Sequence, residues 1–191
     1  MDVYEAIEKR RTIRIFKQGA SEEQLKKIIL AGTKAPSAMN YQPWEFIIVD
    51  DQKIIDQLAE LKYQQNRRLS PSRYGEGAGQ NEVEERALKQ KKSFQNASIV
   101  AICNQAGQAS GALLCIQNIS LAAVAEGLGS GIVTYWGEHK EEVEKILGLP
   151  EGYKLTALMK FGVPGEEGIP KDKIPYTPRR PEFSWLHKNR F

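Results

Sequence analysis

Two cysteines and two histidines are the only thiol and imidazole side chains in the 191-residue sequence. Cys103 and Cys115 are too few for a disulfide framework, and each is flanked by apolar residues (AIC, LLC), which predicts a buried thiol. His139 and His187 have no histidine or cysteine at ligand spacing, which argues against a zinc site. The G-x-S-x-G turn of a serine hydrolase is missing, as are the P-loop and G-x-G-x-x-G signatures. No apolar run approaches the roughly 20 residues of a membrane span. The segment MDVYEAIEKRR lacks the apolar core of a signal peptide, so a cytoplasmic protein with no membrane partner is expected. Excess charge is also scarce. The net +3, from 27 basic and 24 acidic residues, does not argue for a nucleic-acid partner. An enzyme of this composition would leave its hard chemistry to a bound cofactor.

What is present reads as alternating helices and strands in one domain spanning 1–191, with no repeat and no boundary. Helical spacing covers Asp2–Arg10 and a segment opened by the Ser21/Gln24 capping box and ended near Gly32. It recurs over Asp51–Leu61 and Glu141–Leu147. Short β-branched or apolar stretches at Thr12–Phe16, Phe46–Val49, Ile99–Cys103, the IVTYW run and Lys154–Phe161 predict strands. Gly111–Glu126 is apolar almost all round, which suggests burial on several sides and a subunit interface. Residues 62–96 are polar and read as a loop plus an exposed helix, a lid-like insertion. Residues 164–191 are proline-rich yet end in aromatic residues, the pattern of an extended tail that packs on another subunit.

Four motifs bear on function. In EKRRTIRIF, alternation in an extended segment would turn Arg10, Thr12 and Arg14 to one side. They form either a solvated basic face or a clamp for phosphate, which guanidinium groups bind with paired hydrogen bonds. In KAPSAMNYQPWEFIIVDD, Ser37, Asn40 and Gln42 lie in a loop stiffened by Pro36 and Pro43. They make either a polar turn or a set of donors and acceptors for a flat heterocycle. In EGLGSGIVTYW, the glycines either cap a helix or let backbone approach a ligand. In YTPRRPEFSWLH, Arg179 and Arg180 are a basic turn or a second phosphate contact.

Taken in this order, RRTIRIF, APSAMNYQPWEFIIV, NISLAAVAEGLGSGIV and PRRP resemble the nitroreductase family of FMN-dependent oxidoreductases, over nearly the whole chain outside 62–96. The resemblance implies an α+β fold, a three-layer α/β/α sandwich around a mostly antiparallel sheet. It implies an intertwined homodimer with exchanged C-terminal segments and FMN at the interface. Arg10, Thr12 and Arg14 would hold the phosphate and ribityl chain. Arg11 completes the double arginine, and Arg179 and Arg180 would add to the phosphate site. Pro36, Ser37, Ala38, Asn40 and Gln42 would reach FMN from the opposite subunit, and Ile132, Val133 and Thr134 would line the ring system. Hydride would pass from NADH or NADPH to flavin N5, and then to a nitroaromatic, quinone or enone acceptor in ping-pong order. No catalytic side chain is implied. Two departures from the family stand out: Ala38 where many members have a second serine, and Thr134 where some have glutamate. A flavin-binding protein without turnover is the alternative function.

Overall fold

The computed structural model describes residues 1–165, 180–181 and 184–190. Its elements are α1 (Val3–Lys9), β1 (Phe16–Gly19), α2 (Glu22–Gly32), β2 (Trp44–Val49), α3 (Gln52–Arg67) and α4 (Gln80–Lys92). They continue with β3 (Ser98–Gln105), α5 (Ala109–Ala125), β4 (Gly129–Val133), α6 (Gly137–Ile146) and β5 (Tyr153–Pro164). Local sequence explains several boundaries. Ser21 Oγ accepts from the Gln24 N–H and Gln24 Oε1 accepts from the Ser21 N–H, so the capping box starts α2. Asp51 caps α3 by accepting from the Lys53 N–H at 2.8 Å.

The ladders between strands are antiparallel. β3 and β5 pair over most of their length, β2 lies outside β3, and β4 lies on the other side of β5. β1 pairs the far end of β5 through a bulge between Phe16 and Gln18. Gly162 is where three strands meet, opposite Gly19 of β1 and Gly129 of β4. A Cβ there would strike the Gln18 carbonyl, so only glycine fits.

Alternating side chains send β5 into two cores. Ala157, Met159 and Phe161 pack with Leu25 and Ile28 of α2 and Ile116 and Ile119 of α5. Leu155 and Leu158 pack with Ile55 and Leu58 of α3 and Val143 of α6. Helices therefore cover both faces of the sheet, and the α/β/α sandwich expected from the resemblance is present.

Three expectations about elements shift. Residues 12–15 are extended but mostly outside the ladder, with regular pairing beginning at Phe16. Helix α3 continues through Arg67, so Lys62–Arg67 are helix and not loop. Helix α4 packs along α3 and fully buries Val83 and Ala87.

Candidate functional site

The N-terminal arginines and the glycine-rich strand come together. Helix α1 ends at Arg10, whose N–H donates to the Ala6 carbonyl. Arg11 folds back over that end, donating to the Glu8 carbonyl and, at 2.9 Å, to the Arg10 carbonyl. A cation is favourable there, so Arg11 serves the helix end. The chain then runs beside β4. The Ile13 N–H donates to the Ser130 carbonyl at 2.8 Å, and Thr12 bridges Ser130 in parallel. Ile13 is buried, while Thr12 and Arg14 on either side are half-buried.

This contact explains the glycines. A Cβ on Gly129 would lie 2.6 Å from Ile13 Cγ1, and one on Gly131 would lie 2.6 Å from the Ile13 carbonyl oxygen. The sequence reading offered a helix cap or an approach to a ligand. In the structure, Gly129 and Gly131 admit the arginine-bearing segment itself.

Beyond Ser130 no described backbone pairs with the outer edge of β4. The Ser130 carbonyl points outward, so alternation turns the polar groups of Ile132 and Thr134 the same way. The Thr134 carbonyl is gripped from α3 by Lys62 Nζ at 2.9 Å and Gln65 Nε2 at 3.3 Å. Gln65 Oε1 accepts from the Trp136 N–H at 3.0 Å. The side chains of Ile132 and Thr134 are exposed, and Val133 is turned into the core.

Positive charge accumulates behind this edge. Lys62 is 7% exposed and Lys160 on β5 only 1% exposed. Lys160 lies opposite Gly131 and donates to Ser93 Oγ just past the end of α4. Among the described residues no carboxylate lies within ion-pair distance of either lysine. Burial lowers Lys62 to about 8. Burial, then the charges of Arg14 and Lys62, lower Lys160 to about 7.

The loop carrying Pro36, Ser37, Ala38, Asn40 and Gln42 lies elsewhere. It leads into β2, and β3 and β5 stand between β2 and β4. Three strand spacings are roughly 14 Å. Ser37 Oγ accepts from the Gln42 N–H at 3.0 Å, and Gln42 Nε2 donates to the Asn40 carbonyl at 3.3 Å. Met39, Asn40 and Gln42 all have positive φ, a strained arrangement for side-chain-bearing residues. Pro36, Ala38, Asn40 and Gln42 are exposed and Ser37 is half-buried. Within one chain the structure therefore unites the first and third motifs and leaves the second on the far side of the sheet.

Arg180 is exposed, and its carbonyl accepts from the Trp185 indole at 3.0 Å. Arg179 lies outside the described residues, as do Phe183 and Phe191. Cys103 and Cys115 are buried and unbonded, their thiols pushed up to about 11 and about 12, mainly by burial. Both are poor nucleophiles. Among the described residues, no group of three metal-ligating side chains forms. A broad groove lined by Ile55, Glu60, Leu88, Lys91, Phe94 and Ile146 opens between α3, α4 and α6 and contains none of the motif residues.

The sequence reading missed Lys62, Gln65 and Lys160. For the first two a signal existed. Ile55, Leu58, Ala59, Lys62, Gln65 and Asn66 form one buried stripe at helical spacing. Its last three members are polar, so the stripe looked as though it ended at Leu61. Lys160 interrupts the apolar run LTALMKFGV at an inward position, which is itself unusual.

This architecture recurs in known proteins. The chain is 32% identical to an NADH dehydrogenase of Thermus thermophilus over 92% of its own length and 93% of the relative's. It superposes with a TM-score of 0.72 on a crystal structure of a nitroreductase-type protein from Parabacteroides distasonis, at 26% identity over 99% and 98% of the two chains. An oxidized iodotyrosine deiodinase bound to FMN and 3-iodo-L-tyrosine gives a TM-score of 0.75, at 26% identity over the full length of both chains. The family model for nitroreductases matches residues 7–163, a span that takes in both halves of the site just described. By sequence and by fold, the chain belongs to the nitroreductase family.

Proposed function

We propose that this protein is an FMN-dependent oxidoreductase that draws electrons from NADH or NADPH. The observation that carries the reading is the convergence at β4. A segment bearing Arg10, Thr12 and Arg14 lies against a strand whose outer edge offers the backbone groups of Ile132. The donor set fits FMN. Guanidinium and hydroxyl groups suit its phosphate and ribityl chain, and backbone N–H and C=O groups suit the edge of its ring system. The cations behind the edge suit a ligand that carries negative charge.

When bound, FMN would supply two-electron chemistry, accepting hydride from the nicotinamide and passing electrons to a nitroaromatic, quinone or enone in ping-pong order. The chain's own residues bind and orient. Arg10 and Arg14 hold the phosphate end, with Arg179 and Arg180 as further contacts. Ile132 gives an apolar surface to the ring, and Val133 anchors the strand from within the core. No side chain acts as a nucleophile, in keeping with the buried, protonated thiols.

The unit that works is a homodimer. Val3, Tyr4 and Ile7 on α1 and Leu113 and Leu114 on the adjoining α5 are all exposed, with Tyr4 79% and Leu113 57% accessible. Apolar side chains gathered on two packed helices are the composition of an interface core. A second chain seated there brings its 36–42 loop to the first chain's β4 edge, which supplies the motif that one chain alone keeps apart. Among the described residues no helix is long and apolar enough to cross a membrane. The cytoplasm, where thiols stay reduced, suits Cys103 and Cys115.

The test is direct. Purified protein should bind one FMN per chain and oxidise NADH or NADPH when a nitroaromatic or quinone is added. Bound FMN without turnover for any donor and acceptor pair would favour a flavin-storage role. Failure to bind FMN at all would overturn the reading. Arg10→Ala should weaken FMN binding by about 1.5–3 kcal/mol, the range for a hydrogen bond to a charged group, seen as a rise in Kd by fluorescence titration.

A further inference from the structure

Lys62 is a buried cation with no carboxylate within ion-pair distance among the described residues. Its Nζ donates to the Thr134 carbonyl and lies 4.8 Å from the Trp136 ring centroid and 5.6 Å from that of Tyr135. The other basic groups that reach this region are Lys160 from β5 and Arg14 from the segment beside β4. Gln65, the remaining polar side chain at the carbonyl, is neutral. Folding alone does not select such an arrangement. A methionine would fill the same space without desolvating a charge, and Gln65 would still satisfy the Thr134 carbonyl. A buried charge is ordinarily paired. Here no described carboxylate pairs with it, and an anion seated at the edge of β4 beyond Ser130 would lie beside it.

We infer that Lys62 is a positioning residue of the cofactor site, fixing the Thr134 carbonyl on the open edge of β4 and keeping there a positive charge that favours FMN once it has accepted electrons. The inference rests on the FMN reading above and deepens it, because none of the arginine motifs accounts for this lysine. It also brings α3 into the site, through the very turn that the sequence presents as loop. The rings of exposed Trp136 and buried Tyr135 both lie against the ammonium. Tyr135 is itself tied down by donating to the Leu58 carbonyl at 2.7 Å. The charge is thus held in one place before any ligand arrives, which is what electrostatic preorganisation requires.

The experiment compares full-length wild type with Lys62→Met, Lys62→Gln and Lys62→Arg. For each, FMN affinity, apo-protein Tm and the two-electron midpoint potential of bound FMN are measured. Lys62→Met and Lys62→Gln should bind oxidised FMN within a few-fold of wild type. They should favour the reduced over the oxidised cofactor at least tenfold less, a fall in potential of about 30 mV or more. Lys62→Arg should keep the wild-type potential, and the apo-protein Tm of Lys62→Met should be unchanged or higher. An unchanged potential in both neutral variants, with FMN bound, would overturn the inference, most plainly if Tm fell instead. An equal loss of potential in Lys62→Arg would overturn it too. If the wild-type chain binds no FMN, the cofactor reading fails and this inference fails with it.

Discussion

At the scale of single residues, the two inward lysines separate what stabilises the fold from what serves a site. Lys160 has its ammonium against Ser93 Oγ and 5.2 Å from the Phe94 ring centroid, with no carboxylate to offset its burial. Its folded pKa lies below that of the unfolded chain. Between pH 7 and about 9 the unfolded state therefore binds more protons than the native one, and stability must rise with pH across that window; above it the thiols of Cys103 and Cys115, pushed up by burial, pull the other way. Lys62, lowered to about 8, adds to the same slope. Each group contributes at most about 1.4 kcal/mol per pH unit. Chemical denaturation of the apo-protein at pH 7 and pH 9 should show this gain, and Lys160→Met should flatten it by raising stability mainly at the lower pH. A flat profile in wild type would contradict the burial of an unpaired lysine. Neither lysine was legible as a site residue in the sequence. The arginines announced themselves by clustering within five positions, whereas each lysine stands alone on a stripe whose other members decide how it is read.

At the scale of elements, the decisive contact is between an irregular segment and a short strand. Residues 12–15 are held beside β4 because Gly129 and Gly131 leave room for Ile13. Gly131→Ala forces its Cβ against backbone, so it should cost about 1–3 kcal/mol and shift Arg10–Arg14 enough to weaken FMN binding. Gly127→Ala is the matched control. That residue has a φ of +73° and open space around it, so the substitution strains the backbone locally, by about 1–2 kcal/mol, while FMN affinity stays put. Parallel Tm and FMN titrations separate the two. Elements governed by local chemistry were readable in advance: the Ser21 box starts α2, and the apolar run of β3 is a central strand. The end of α3 was not, because tertiary partners on β4 and its extension satisfy Lys62 and Gln65. Within α3 the one trace is that they continue the buried stripe of Ile55, Leu58 and Ala59 with polar members.

At the scale of the whole molecule, the layered α/β/α fold followed from matching motifs in order, and the antiparallel sheet bears it out. Periodicity alone suggested alternating helices and strands without saying which strands pair. Partner order depends on contacts far apart in the chain, such as Gly162 meeting both Gly19 and Gly129. The exposed leucines of α5 belong to this scale too. Leu113→Asp places a charge in the centre of the proposed dimer face. It should convert the dimer to monomer by light scattering and remove FMN with it, while the monomer keeps its far-UV circular dichroism. A dimer that survives Leu113→Asp would move the interface elsewhere.

The separation of the 36–42 loop from the β4 edge has a genetic consequence. In the proposed dimer, two lesions that each weaken the site, Arg10→Ala beside β4 and loss of the Ser37 and Gln42 side chains in the loop, fall on different halves of it. Coexpressed in one cell, the two weakened chains should complement. Every mixed pair concentrates both lesions in one cavity and restores the other, so random assortment returns about a quarter of the wild-type sites.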